Sequence, residues 1–233
     1  MQAILLTILV ATLPVVGLLY YFYRKDKGEK EPLPLMRDVF IWGILAIFPV
    51  IVVEIILQGV GYVIWPESTL VYAIVLPFLM VALPEEYAKL HVVKKVAYGH
   101  GKFNEIMDGI TYCIIASMGF AVFENIMYTF QYGVGIGIMR AFTAVPAHAL
   151  FSGIMGYYIG VAKFTKDKEQ VKKLFNKGLW MGVLFHGLYD FLLMSGVPEL
   201  ILLVFPLLIY MWFELHSLIK KAHGLKQVLQ EAK

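Results

Sequence analysis

Cysteine, charge and internal repetition are what this chain has least of. One residue in 233 is cysteine, Cys113, which excludes a disulfide framework and a thiolate metal cluster. Cys113 sits in an apolar run and reads as a small core residue. Only 16% of residues are charged, 60% are hydrophobic, and the mean hydropathy is +0.73. A soluble domain holds about 25% charged and about 45–50% apolar residues. No repeat, low-complexity segment or soluble domain is visible. The net charge of +3 is unremarkable and gives no reason to expect a nucleic-acid partner. The composition is that of an integral membrane protein, and its apolar runs are long enough for helices.

Seven runs stand out, at 3–23, 38–63, 70–95, 107–131, 137–162, 177–195 and 198–219. The first has no positive n-region and no clear cleavage site, so it reads as a retained helix. Of the 20 Lys and Arg, 18 fall in the 24–37 linker, around Lys94–Lys102, in 163–177 and in the tail beyond 219. The connections near 64–69, 132–136 and 196–197 hold none. By the positive-inside rule this alternation predicts an all-α bundle of about seven transmembrane helices, N-terminus outside and C-terminus cytoplasmic. Pro84 and Pro146 predict kinks just before polar residues. Ser152, Gly156 and Gly160, four apart, predict a close helix-packing stripe. Gly133, Gly135 and Gly137 predict a short turn.

What the apolar background leaves is a set of polar residues at membrane depth, where each charge costs a few kcal/mol. The third run carries Glu85, Glu86 and Lys89, the fourth Glu124 and Asn125, the fifth His148, and the sixth His186 and Asp190. At about 1.5 Å per residue all lie within roughly 10 Å of the midplane. Glu85 and Lys89, four apart, predict a buried ion pair that leaves the second carboxylate without a partner. Glu54 is placed to pair with Arg140. Asp190, four residues after His186, can fix its tautomer. Two histidines with several carboxylates suit zinc, and either zinc or a carboxylate beside an imidazole activates water. Three function classes use such a set: a membrane-embedded peptidase, an ion- or proton-coupled transporter, and a zinc-dependent lipid amidase.

The spacing as a whole resembles the PrsW family of intramembrane proteases, related to the CAAX-protease and bacteriocin-processing group. The matching marks are Glu85-Glu86-x-x-Lys89, Phe120-x-x-x-Glu124-Asn125, Arg140…Pro146-x-His148 and His186-x-x-x-Asp190, with the Asp108-Gly109-Ile110-x-Tyr112 and Ile154-Met155-Gly156-x-Tyr158 runs. Lys89 comes one residue earlier than the wider group's arginine, and Glu124 stands where that group has a histidine, so prenyl-protein substrates are not implied. The resemblance implies a single peptidase domain over 1–233 that cleaves a single-span membrane protein of the anti-sigma-factor type. The expected catalytic set is Glu85, Glu86, Lys89, Glu124, Asn125, His148, His186 and Asp190, with Asn125 or Lys89 stabilising the oxyanion. The expected ligands of a zinc ion are His148, His186 and one of Glu86 or Glu124. A metal-free glutamate mechanism remains the alternative.

Overall fold

The computed structural model describes residues 2–65 and 69–231, with side chains between 5 and 225. Residues 66–68 of the expected 64–69 connection, the Lys226 side chain and Lys233 lie outside the described residues. The described residues form helices and no strands. The order is α1 (Gln2–Lys25), α2 (Leu33–Leu45), α3 (Ile47–Ile64), α4 (Leu70–Val75), a π-helical stretch (Leu76–Ala82), α5 (Leu83–Val96), α6 (Ile106–Tyr132), α7 (Val134–Phe142), α8 (Ala144–Lys163), α9 (Lys168–Met194), a 3-10 turn (Pro198–Leu203) and α10 (Val204–Glu231).

Six stretches are long and apolar enough to cross a membrane: Leu5–Lys25, Leu33–Ile64, Leu70–Val96, Ile106–Tyr132, Val134–Lys163 and Pro198–Leu225. The expected seventh, 177–195, lies in α9, which has the length at 27 residues but is not among the six. Lysines at its start and His186 and Asp190 near its end make it more polar. Its burial of Gly182, Phe185, His186 and Tyr189 turns that polarity inward.

Three expected spans are broken, each for a local reason. The second splits at Ala46, because Pro49 cannot donate to the Leu45 carbonyl and its ring crowds it. The third widens into the π-helical stretch, where Leu83 N–H reaches back five residues to the Phe78 carbonyl. Pro84 follows as the second residue of α5, so the distortion precedes the proline instead of kinking after it. The fifth breaks at Thr143. Pro146 then sits in the first turn of α8, where a missing N–H costs nothing, so the expected kink is a helix start instead.

Helix α6 is the axis of the bundle: 94% of its most apolar window is buried, against 17–44% in the other spans. It packs closely on α8. A Cβ on Gly109 would lie 2.4 Å from the Gly156 carbonyl, and one on Gly160 would lie 2.1 Å from that of Ile106. No side chain fits there, so the small-residue stripe is a backbone-to-backbone contact. Gly43 and Gly119 bring α2 against α6 in the same way. Helix α3 is different. Of its 18 residues only Ile47, Val50 and Gly61 are buried.

Beneath the helices the 26–32 linker folds over the start of α6. Asp108 Oδ2 accepts from the backbone N–H of Asn104 (2.6 Å) and Glu105 (2.7 Å), and the Tyr112 hydroxyl donates to Glu31. Asp26, Glu31 and Asp108 come together there. Burial raises the pKa of both Asp26 and Glu31.

Candidate active site

The first turn of α5 places Glu85 and Glu86 about 100° apart around the helix axis, and Lys89 lies one turn on. Lys89 is fully buried, and its ammonium donates to Glu85 Oε2 (3.0 Å), Glu86 Oε1 (2.8 Å) and His148 Nδ1 (3.1 Å). The expected Glu85–Lys89 pair forms, but the second carboxylate is not left alone: one ammonium serves both. Phe120 lies beneath it, with the ammonium 4.5 Å from the ring centroid.

The donation from Lys89 fixes the His148 tautomer. With Nδ1 accepting, Nε2–H donates to Glu124 Oε2 at 2.8 Å. The other oxygen of Glu124 meets Arg140 Nη2 at 2.9 Å, and that guanidinium lies 3.9 Å from the centre of the Tyr128 ring. Arg140 therefore pairs with Glu124 and not with Glu54, because both belong to the α6–α7 side of the site. The Ser117 hydroxyl donates to the His148 carbonyl at 2.9 Å and holds α8 in register with α6.

From α9, His186 presents Nδ1 to Glu86 Oε1 (3.0 Å) and Nε2 to Asp190 Oδ2 (3.3 Å), with Glu85 Oε2 at 4.0 Å. Its ring stacks on Phe151 at 4.7 Å and 12°. The two imidazoles meet edge to face, 5.4 Å between centroids. The Ser152 hydroxyl donates to Glu86 Oε2 at 3.2 Å, so this member of the small-residue stripe serves the polar network as well as packing. It stands one helical turn after His148, which was the signal that it shares the face.

A cavity of about 240 Å³ opens onto this network. Glu85, Glu124, His148, His186, Asp190 and Arg140 line it; Glu86 and Lys89 do not, and stand behind. A scan against family models matches residues 31–214 to one described as "PrsW family intramembrane metalloprotease". The chain belongs to that family. It is 41% identical to Protease PrsW of Geobacillus kaustophilus over 78% of this chain and 77% of that one. It is 34% identical to Protease PrsW of Bacillus subtilis (86% and 88% covered) and 30% identical to that of Clostridioides difficile (88% and 86%). No solved structure matches. The chain is thus an intramembrane protease of the PrsW family, embedded in the membrane through multiple spans.

Of the expected set, seven residues enter one connected network and Asn125 does not. Asn125 is fully buried on another face of α6, and neither side-chain polar atom has a hydrogen-bond partner among the described residues. Adjacent residues on a helix point about 100° apart, so sharing a motif with Glu124 did not give it the same neighbours.

The donor set fits a metal. Ligand atoms of Glu85, Glu86 and His186 lie within 4.8 Å of one another, as do those of Glu85, Glu124 and His148. Both trios offer the nitrogen and oxygen donors that zinc takes. Glu85 belongs to both, whereas the sequence had pointed to Glu86 and Glu124 as the carboxylate ligands.

Proposed function

We propose that this PrsW-family chain hydrolyses a peptide bond within a single-span membrane protein of the anti-sigma-factor type, with Glu85 as the general base. The observation that carries the reading is the division of the carboxylate pair: Glu85 faces the cavity, while Glu86 is enclosed by Lys89, His186 and Ser152. Glu85 takes a proton from water as its oxygen adds to the scissile carbonyl carbon, then delivers that proton to the leaving amide nitrogen as the C–N bond breaks. His148 and His186, each engaged at both ring nitrogens, hold Glu124 and Asp190 in place at the cavity wall where the water binds. Glu86 positions Lys89 and His186, and Asp190 orients His186. Arg140 lines the cavity, and its Nε has no hydrogen-bond partner among the described residues. This makes it better placed than buried Lys89 or Asn125 to face a developing oxyanion.

A zinc ion, when bound, would acidify the water; Glu85, Glu124 and a deprotonated His148 Nε2 would hold it with a position left for that water, and Glu85 would then serve as ligand in place of base. A metal-free reading also has specific support, since the Lys89 ammonium already touches Glu85, Glu86 and His148. The test is purified full-length protein in nanodiscs with a panel of single-span peptides that includes anti-sigma-factor-type spans. Wild type should cut at one site and Glu85→Gln should not. A wild type that cuts none of the panel overturns the proposal. About one zinc per chain, with activity lost to a chelator and restored by zinc, selects the metal reading. Full activity after exhaustive chelation, with no metal detected, selects the other.

A further inference from the structure

The Asp108-Gly109-Ile110-x-Tyr112 run takes no part in the active site. Glu124 lies four to five turns further along α6, about 24 Å away. Asp108 gathers instead with two acids of the linker between α1 and α2. Carboxylate oxygens of Asp26, Glu31 and Asp108 lie within 4.8 Å of one another. All three residues are buried, at 4%, 6% and 1% exposure. The nearby lysines are engaged elsewhere: Lys30 donates to the backbone carbonyls of Tyr23 and Asp26, and Lys102 pairs with Glu29. His223 of α10 reaches Asp26 electrostatically, and Glu105 adds negative charge beside both linker acids. Among the described residues, no lysine or arginine forms an ion pair with any of the three acids.

Each acid is held at one oxygen by a donor. Gly28 N–H donates to Asp26 Oδ1 at 2.8 Å, the Tyr112 hydroxyl donates to Glu31 Oε2, and the N–H groups of Asn104 and Glu105 donate to Asp108 Oδ2. Donors placed this way orient carboxylates for a ligand. Asp108 Oδ2 is committed to the start of α6, so Oδ1 is the oxygen left for the group. Oδ1 is buried and has no hydrogen-bond partner among the described residues. A buried acceptor of this kind calls for a partner. One proton shared between Glu31 and Asp108 answers two of the acids; a divalent cation answers all three. The donors are oxygens alone, with no thiolate or imidazole among them, which favours a hard ion over zinc. We propose that Asp26, Glu31 and Asp108 bind a hard divalent cation, magnesium or calcium, that fastens the linker to the start of α6. The ion ties α1 and α2 to the axis of the bundle. Without it, burial keeps protons on Asp26 and Glu31, and the ion takes their place. The inference stands apart from the protease reading and from any zinc at Glu85.

The test reads thermal unfolding, not cleavage. Full-length protein in neutral detergent is stripped with a chelator, freed of it, and heated near neutral pH with magnesium chloride, calcium chloride or potassium chloride at equal ionic strength. An ion that binds only the folded chain raises its unfolding temperature, and about 5 mM of the preferred ion should give a rise of about 4 °C over potassium. The larger of the magnesium and calcium rises names the ion. Asp26→Asn and Asp108→Asn each keep an oxygen for the backbone N–H groups and lose the charge, so the rise should fall below about 1 °C in both. They lie on different elements, so one of them decides the matter should the other fail to fold. Glu85→Gln should keep the full rise, because the ion is not in the active site. No rise with either divalent ion overturns the proposal and leaves the shared proton. A rise that either folded asparagine variant retains overturns it too, as does a rise that Glu85→Gln abolishes, which assigns the ion to the active site.

Discussion

Replacing Lys89 by methionine removes the one cation that touches Glu85, Glu86 and His148 together. At 2.8 and 3.0 Å and an effective dielectric of about 20, each ion pair is worth about 6 kcal/mol in gross Coulomb energy. The desolvation of three buried charged groups offsets much of that, at several kcal/mol per ion. The offset does not protect the variant, because Lys89→Met leaves both carboxylates buried without their cation. Breaking a buried pair from one side costs about 3–5 kcal/mol. Polar contacts between membrane helices average only about 0.6 kcal/mol, because the unfolded chain in the membrane finds other partners. The two expectations are far enough apart to decide between. Reversible unfolding in mixed micelles should show Lys89→Met destabilised by about 3 kcal/mol or more. Lys89→Met/Glu86→Gln should lose less than the two single changes together, by about 1–3 kcal/mol. A single-variant loss below about 1 kcal/mol would refute the view that Lys89 holds the carboxylates in place.

The two carboxylates should separate in the same preparations. Glu85→Gln should abolish cleavage with the unfolding temperature little changed. Glu86→Gln should abolish cleavage and also destabilise by about 1–3 kcal/mol, since Lys89, His186 and Ser152 all lose a charged acceptor. The linker acids give a pH dependence of defined sign. Burial raises Asp26 and Glu31, so the native state holds their protons to higher pH than the unfolded chain does. The stability they contribute is full below their unfolded pKa values and is lost as pH rises through the folded ones. Glu31→Gln, which keeps an oxygen for the Tyr112 hydroxyl, should raise the melting temperature more at pH 8 than at pH 4.5; an equal rise at both would contradict this. For orientation, single cysteines at Gly135 and Lys168 in a Cys113→Ala background should label from opposite faces, Gly135 from outside. Labelling of both from one face would remove the seven-span topology.

The site was more legible in the sequence than the helices that carry it. Charged residues are so rare in this background that Glu85, Glu86, Lys89, Glu124, His148, His186 and Asp190 announced themselves by depth alone. Their pairing was less accessible. The sharing of Lys89 between Glu85 and Glu86, four and three residues away on α5, follows from spacing and went unread, whereas its contact with His148 and the choice of Glu124 over Glu54 by Arg140 depend on how separate helices are rotated, which spacing along one helix does not encode. The breaks at Ala46 and Thr143 show a second limit. Proline in an apolar run signals a lost hydrogen bond, yet Pro49 breaks its span three residues upstream while Pro146 sits in a first turn. Hydropathy merged each pair of half-helices into one span because their apolar content runs straight across the break. The Gly156–Gly160 stripe was legible because only small side chains permit that spacing; the second duty of Ser152 was not.

The charges of the site bear on how it is balanced. Glu54, Glu85, Glu86, Glu124 and Asp190 are five carboxylates, and Lys89 and Arg140 are the two fixed cations that meet them. With all of these ionised and the histidines neutral, three negative charges go unmatched in a setting where an isolated buried charge is not tolerated. His186, with a carboxylate at each ring nitrogen, is built to carry one extra proton and donate from both sides. A divalent metal would match the remaining two; further protons on Glu54 and Glu85 would match them as well, but a protonated Glu85 is no base. Lys89 cannot move out to release its carboxylates, being enclosed on every side. The two readings therefore give Glu85 different duties: an ion held by Glu85, Glu124 and His148 would take that carboxylate as a ligand, whereas a base has to be ionised without one. In a metal-free site Lys89, at 3.0 Å, and a protonated His186, at 4.0 Å, keep the same carboxylate ionised.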